Sequence, residues 1–78
     1  MTRYVNAFLE VRENIASEDL KVFIKPFKFS IMKDPIPQAD SKTIVFPIKG
    51  PEMRYEELRK AIEKHGKYML WPESSMNI

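Results

Sequence analysis

The 78-residue sequence has no cysteine, one histidine and two glycines. The absence of cysteine excludes a disulfide framework and any thiolate site for metal or redox chemistry, and it fits a reducing compartment. With His65 as the only histidine, a multi-histidine metal site is excluded as well. Gly50 and Gly66 lie far apart, whereas a phosphate-cradling loop needs several glycines close together. We therefore predict that the protein is not an enzyme and has no catalytic residues, metal or cofactor.

Long apolar runs are absent too. The first twenty residues include six charged side chains, so they lack the apolar core of a signal peptide. No run approaches the roughly 20 apolar residues that cross a bilayer. These absences predict a cytoplasmic protein with no membrane partner. Because 44% of the residues are hydrophobic and 31% are charged, we expect an ordered globular chain.

Positive charge is concentrated in the middle of the chain. The overall net charge is only +2, but residues 21–51 hold six lysines and two aspartates, which gives this third a net charge of +4. Within it, the stretch KVFIKPFKFSIMK, residues 21–33, alternates lysine with large apolar side chains. We expect any positively charged binding surface to lie here.

The N-terminal segment, residues 2–16, has apolar residues at helical spacing. On a helix one arc of roughly 100° would hold Tyr4, Ala7, Phe8, Val11 and Ile15. Thr2 could cap the start of this helix. The same segment also alternates as a strand would, from Val5 to Val11. Its length favours a helix, and a strand is the alternative.

The next segment alternates with a period of two. Leu20, Val22 and Ile24 point one way and Lys21, Phe23 and Lys25 the other, which predicts a strand. At Pro26 the inward apolar residues change from even to odd positions, as a β-bulge would cause. The apolar set then continues through Phe27, Phe29 and Ile31. A short helix capped by Ser17 is the alternative.

The remaining elements have clearer boundaries. Residues 34–42 form a predicted turn, followed by a strand over residues 43–50 that places Pro47 opposite Pro26 in a non-hydrogen-bonded pair. A helix over residues 51–65 begins with proline and early acids and ends with basic residues before Gly66. A third strand covers residues 67–71 and is stopped by Pro72.

The fold predicted from these elements is a small α+β domain over residues 1–72, with residues 73–78 as a frayed tail. Its order is helix, strand, strand, helix, strand, and its sheet has three mainly antiparallel strands; the alternative has a fourth strand at the N-terminus. A strand–helix–strand crossover makes the third strand parallel to the second, with the first strand between them. The second and third strands have apolar residues at both odd and even positions, so both of their faces are apolar. If both helices cover one face, the other face is therefore an exposed apolar patch.

The candidate binding residues lie on the predicted basic strand and at the end of the third strand: Lys21, Phe23, Lys25, Lys28 and Trp71. Lysines suit phosphates or carboxylates, and an exposed ring suits stacking or apolar anchoring. An ordinary solvated strand face explains the lysines equally well, because lysine discourages edge-to-edge pairing. Trp71 fits either a core position or a binding hot spot.

We predict a small non-enzymatic interaction protein, a regulator or inhibitor that binds another protein through a sheet face or edge. Small cysteine-free chains of this kind occur among viral accessory proteins, and the partner could belong to nucleic-acid machinery. The alternative is direct nucleic-acid binding through the basic strand, residues 21–33. A homodimer is compatible with either function.

Overall fold

The structure, a computed structural model, describes residues 3–12, 14, 17–38 and 42–73. The strands and helices are β1 (Tyr4–Arg12), α1 (Ser17–Ile24), β2 (Ser30–Ile31), β3 (Ile36–Gln38), β4 (Thr43–Pro51), α2 (Tyr55–His65) and β5 (Met69–Pro72). Short 3-10 turns, Lys25–Phe27 and Glu52–Arg54, follow α1 and β4. The α+β class with an antiparallel sheet is confirmed. Residues 74–78 of the predicted tail lie outside the described residues.

The sheet is built around β1 and β4, which pair along their full lengths from Tyr4 opposite Pro51 to Arg12 opposite Thr43. Strand β5 pairs with the other side of β1, and β2 and β3 both pair with the other side of β4. Every pairing among the described strands is antiparallel. Because β2 and β3 follow one another along β4, they act as one interrupted edge strand. The chain therefore has the β-α-β-β-α-β order of a split βαβ fold.

The prediction of a parallel relation across α2 is confirmed. Strands β4 and β5 are both antiparallel to β1, so they run parallel to each other with β1 between them. The strand in the middle is the N-terminal one, however, and not the strand that was predicted over residues 20–31.

The predicted N-terminal helix is wrong, and the alternative of a strand is confirmed. In β1, Ala7, Leu9 and Val11 are at most 2% exposed, and they alternate with more exposed residues. Phe8, which breaks the alternation in the sequence, lies on the opposite side of the sheet from these three. Pairing with a neighbour on each side satisfies the backbone of β1, which outweighs the helical spacing. Thr2 and Ile15, near the ends of the predicted helix, lie outside the described residues.

The predicted basic strand is also wrong, because its first half is α1. Leu20 and Ile24, four residues apart, are buried, whereas Val22 between them is 71% exposed. This is the helical period, and it replaces the predicted grouping of all three residues on one side of a strand. Pro26 is not at a bulge: it lies in the first turn of the 3-10 segment, where a missing N–H breaks no hydrogen bond. Lys28 ends that turn in the left-handed conformation, with φ of 65°.

Pro47 faces Phe8 in β4, which corrects the predicted pairing of Pro47 with Pro26. The Met32 N–H donates to the Pro47 carbonyl at 2.8 Å, so the backbone of Pro47 points toward the edge strand. The break between β2 and β3 falls at this level, and the N–H that proline lacks is therefore not needed there. Strand β3 lies inside the predicted turn, residues 34–42, of which residues 39–41 are outside the described residues.

The second helix is confirmed over Tyr55–His65, with Gly66 after it at φ of 78°. Its predicted start at Pro51 is wrong: Pro51 is extended and ends β4, and Glu52–Arg54 form a 3-10 turn before the helix. Both helices cover the same face of the sheet. Their four buried side chains share one core with Leu9 and Phe46 of the central strands: Leu20 and Ile24 from α1, and Leu58 and Ile62 from α2. The third predicted strand is confirmed as β5, which includes Pro72 as its last residue.

Candidate functional site

The side of the sheet opposite the two helices is not covered by any described element, and we call it the open face. Val5, Ala7, Leu9 and Val11 of β1 pack into the core under the helices. Because side chains alternate along a strand, the residues between them project from the open face, as do their partners in neighbouring strands. Both helices lie on one face, which is the condition under which the sequence predicted an apolar patch on the other.

The centre of the open face is a row of three half-buried apolar side chains. Phe8 of β1 lies between Trp71 of β5 and Pro47 of β4 in the strand register. We call these residues the Phe8 row. The backbone of Pro47 points away from β1, so Phe8 and Pro47 form a non-hydrogen-bonded pair, in which side chains stand closest.

Next to the Phe8 row is a second row, which we call the Glu10 row: Met69, Glu10, Val45 and Ile36 on β5, β1, β4 and β3. Val45 is 1% exposed although neither described helix lies over it, so its neighbours on the open face cover it. Met69 and Ile36, at the two ends of the row, are 52% and 40% exposed. The two rows together form a surface that is apolar apart from the Glu10 carboxylate.

Glu10 holds the polar groups of this surface in place. The Trp71 Nε1–H donates a hydrogen bond to Oε1 of Glu10 at 2.9 Å, and the Thr43 hydroxyl donates to Oε2 at 2.6 Å. Each donor lies on a strand next to β1, so the carboxylate ties β5 and β4 to the central strand. The indole ring is fixed against the sheet as a result. Sequence analysis missed Glu10, because an acid at an outward position of a strand carries no distinguishing pattern.

Positive charge lies at the two ends of the open face. Arg12 is exposed on β1 opposite Thr43, and Lys49 is exposed on β4 opposite Asn6. The Lys49 ammonium lies 5.7 Å from the centre of the Tyr4 ring, within cation–π range. These two cations flank an apolar centre whose acid is Glu10.

Of the five predicted binding residues, only Trp71 lies on the open face. Lys21 and Lys25 are exposed on α1 and the turn after it, and Lys28 is exposed at the end of that turn. Lys21 also lies 3.9 Å from Glu18 one helical turn away, an exposed pair of little energetic weight. The predicted surface of lysines around an aromatic ring on a strand is therefore not formed.

Phe23 belongs to an aromatic cluster between the two helices. Its ring meets those of His65 and Tyr68 edge-on, at 5.1 and 5.0 Å between ring centres, and lies 6.3 Å from Phe27. His65 stacks on Tyr68 at 4.3 Å with 9° between the ring planes. Burial, and then the nearby Asp19 carboxylate, raise the pKa of Tyr68. Phe23 is half-buried here and packs as a structural residue.

The outer surface of α2 carries ion pairs between its own residues. Arg59 contacts Glu56 at 2.8 Å and Glu63 at 2.7 Å. The hydrogen bond from Arg59 lowers the pKa of Glu56. These groups are exposed and satisfy one another, so they stabilise the helix surface by a small amount.

Within the described part of the chain, no group of three or more histidine, cysteine, aspartate or glutamate side chains is arranged to hold a metal ion. None of the described helices has the length and apolar character needed to cross a membrane.

Comparison with known proteins found no matching family model, no matching curated protein and no matching solved structure.

Proposed function

We propose that this chain is a non-enzymatic protein that binds a protein partner through the open face of its sheet, acting as a regulator or inhibitor. The observation that carries the proposal is the placement of both helices on one side, so that no described element covers the Phe8 row and the Glu10 row. A contiguous exposed apolar surface on a small protein commonly marks an interface.

The residue types on the open face support a protein partner. Tyr, Trp, Phe, Met and Arg are enriched in the buried centres of protein interfaces, and the open face presents one or more of each. Trp71 is held in a fixed orientation by Glu10, so little conformational entropy is lost when a partner covers it. A fixed aromatic side chain of this kind is a common hot spot.

A nucleic-acid partner is less well supported. The predicted basic strand is a helix and a turn, and its lysines are not on the open face. Arg12 and Lys49 on the open face, and Lys67 beside Arg12 at one end of it, are available to contact phosphates. Affinity for nucleic acid grows with the number of phosphates neutralised, and three cations at the ends of the face are few.

The test is a matched pair of methionine substitutions. Met69→Lys adds a charge within the open face, where Met69 is 52% exposed, and Met53→Lys adds the same charge in the turn after β4, where Met53 is 78% exposed. Both sites are exposed, so both variants are expected to fold with a change in stability within about 0.5 kcal/mol.

The assay is capture of bound proteins by the tagged full chain from a lysate of its natural host, with and without nuclease. We expect wild type and Met53→Lys to retain the same partner after nuclease treatment, and Met69→Lys to lose at least nine-tenths of it. Equal capture by both variants would exclude the open face as the interface. A partner that disappears on nuclease treatment would favour nucleic-acid binding instead.

A further inference from the structure

We infer that the partner bound by the open face is a second copy of this chain, packed face to face to give a symmetric dimer. The inference rests on the proposed function, since it names the partner of the same surface. Its support comes from the size of the face and from the positions of its charges.

The open face is large enough for a small interface. Strands β1 and β4 contribute nine residues each, β5 four, and β2 and β3 five together, so the described face has 27 strand positions. At 3.3 Å per residue and 4.8 Å between strands, these positions cover about 430 Å² of flat area. A standard interface buries about 800 Å² of accessible surface on each partner, so the dimer lies at the small, weakly associating end of the range. Two sheets packed in this way lie about 10 Å apart.

The charges select one symmetry axis from two. Face-to-face packing needs a two-fold axis that lies between the sheets, either along the strands or across them. An axis along the strands leaves each residue at the same position along the strand direction as its counterpart in the second copy. Glu10, Arg12 and Lys49 would therefore each lie close to their own copies. Like charges enclosed at a packed interface are strongly unfavourable, so this arrangement is disfavoured.

An axis across the strands, over Phe8 at the midpoint of β1, reverses the order of residues along each strand relative to the copy that packs on it. The Phe8 row then packs on the Phe8 row of the second copy, which buries the aromatic and proline side chains at the centre. Glu10, two residues after Phe8, then faces Asn6 of the second copy, and Lys49 of the second copy lies beside that Asn6. Arg12, four residues after Phe8, faces Tyr4 of the second copy.

Each charge gains a suitable contact in this arrangement. Two of the four or so lone-pair positions of the Glu10 carboxylate are used by Trp71 and Thr43, which leaves room for a third donor. Lys49 of the second copy lies one strand away from that position and has a long side chain. The guanidinium of Arg12 meets the Tyr4 ring of the second copy, on which arginine stacks favourably once Lys49 of that copy, 5.7 Å from the ring, turns away from it toward Glu10. The face is thus complementary to itself about this axis.

Cysteine cross-linking distinguishes the two axes, and the chain has no native cysteine to interfere. Arg12 and Tyr4 are each four residues from Phe8, or about 13 Å along the strand. Across the proposed axis Arg12 of one copy therefore lies over Tyr4 of the other, while the two copies of Arg12 are about 26 Å apart. A bismaleimide that reaches about 13 Å spans the gap of about 10 Å between packed sheets but not the longer distance.

The experiment compares an equimolar mixture of full-length Arg12→Cys and Tyr4→Cys chains with each variant alone. Both positions are exposed, so neither change is expected to unfold the chain. We expect at least tenfold more cross-linked dimer in the mixture than in either variant alone. Cross-linking of each variant to itself at the level of the mixture would overturn the proposed axis.

Sedimentation velocity of the wild-type chain from micromolar to millimolar concentration provides the second measurement. We expect the mass to rise from 9.2 kDa to twice that value, Met53→Lys to behave in the same way, and Met69→Lys to remain at 9.2 kDa. A wild-type chain that stays at 9.2 kDa throughout, with no cross-link in the mixture, overturns the dimer. The proposed function would then still be decided separately, by whether Met69→Lys alone loses a captured protein of a different kind.

Discussion

The substitution Gly50→Ala tests how the core under the helices is packed. Gly50 lies on β4, on the side of the sheet that faces the helices, and the ring of Phe29 rests directly on it. A methyl carbon built on Gly50 would lie 2.4, 2.5 and 2.7 Å from three carbons of that ring. Phe29 is 4% exposed and belongs to the core, so its ring cannot turn outward without exposing apolar surface.

Two opposing effects set the magnitude. Gly50 is not among the residues with positive φ, so alanine fits its backbone and would stabilise the protein by about 0.4–1 kcal/mol through the unfolded chain. Against this, the ring must move by about 1 Å to reach ordinary contact, and overpacking of this kind typically costs about 1–3 kcal/mol. We therefore expect a net loss of about 1–2 kcal/mol, which is large for a domain of this size.

Urea unfolding followed by the fluorescence of the single tryptophan measures this loss. The decisive comparison is the same substitution in a Phe29→Ala background, where the ring is gone and the new methyl group meets no clash. Because Phe29→Ala itself costs about 3–5 kcal/mol, both backgrounds are measured in a stabilising osmolyte. There Gly50→Ala should raise the free energy of unfolding by about 0.4–1 kcal/mol.

A reversal of sign between the two backgrounds is thus the expected outcome. The packing argument is refuted if Gly50→Ala lowers stability equally in both backgrounds, which would place the cost in the backbone. It is refuted as well if the substitution is stabilising in the wild-type chain, which would mean that the ring does not rest on the glycine.

Three further results are expected from unfolding measurements. Gly66→Ala should lower the free energy of unfolding by about 1 kcal/mol, because φ is 78° and no atom lies within 4 Å, so only backbone strain changes. Lys28→Gly should raise it by about 0.5 kcal/mol, since φ is 65° there; a decrease in the urea midpoint would contradict this. Burial raises the pKa of Tyr55 and of Tyr68, so stability that is present below about pH 10 is lost as the pH rises through the raised values. Tyr68→Phe should reduce that alkaline loss between about pH 8 and pH 11, and an unchanged loss would contradict the assignment.

The sequence alone determined the elements whose signals are local and agree with one another. The second helix has proline before it, acids at its start and Gly66 after it, and each of these features stabilises a helix whatever surrounds it. The strand that became β4 was predicted between the turn over residues 34–42 and the helix that follows, and its parallel relation to β5 followed from the geometry of a crossover. The α+β class and the apolar character of both sheet faces were predictable for the same reason.

Only the tertiary structure decided between helix and strand in the first 31 residues. The segment around Phe8 has both periods, and it is a strand because β4 and β5 pair with its two sides. The segment around Phe23 also has both periods, and it is a helix because Leu20 and Ile24 face the core while Val22 faces water. Where local propensities are balanced, pairing and burial with residues distant in the chain provide the free energy that selects one structure.

The open face depended on the same non-local choices. With β1 as a strand, Phe8 lies between Trp71 and Pro47 although 63 and 39 residues separate them in the chain. The predicted binding surface failed because the lysines lie on α1 and on the turn after it, away from the open face, and only Trp71 remained on a sheet face. Local pattern identified the residues able to form an interface, and the pairing of distant strands determined which of them lie together.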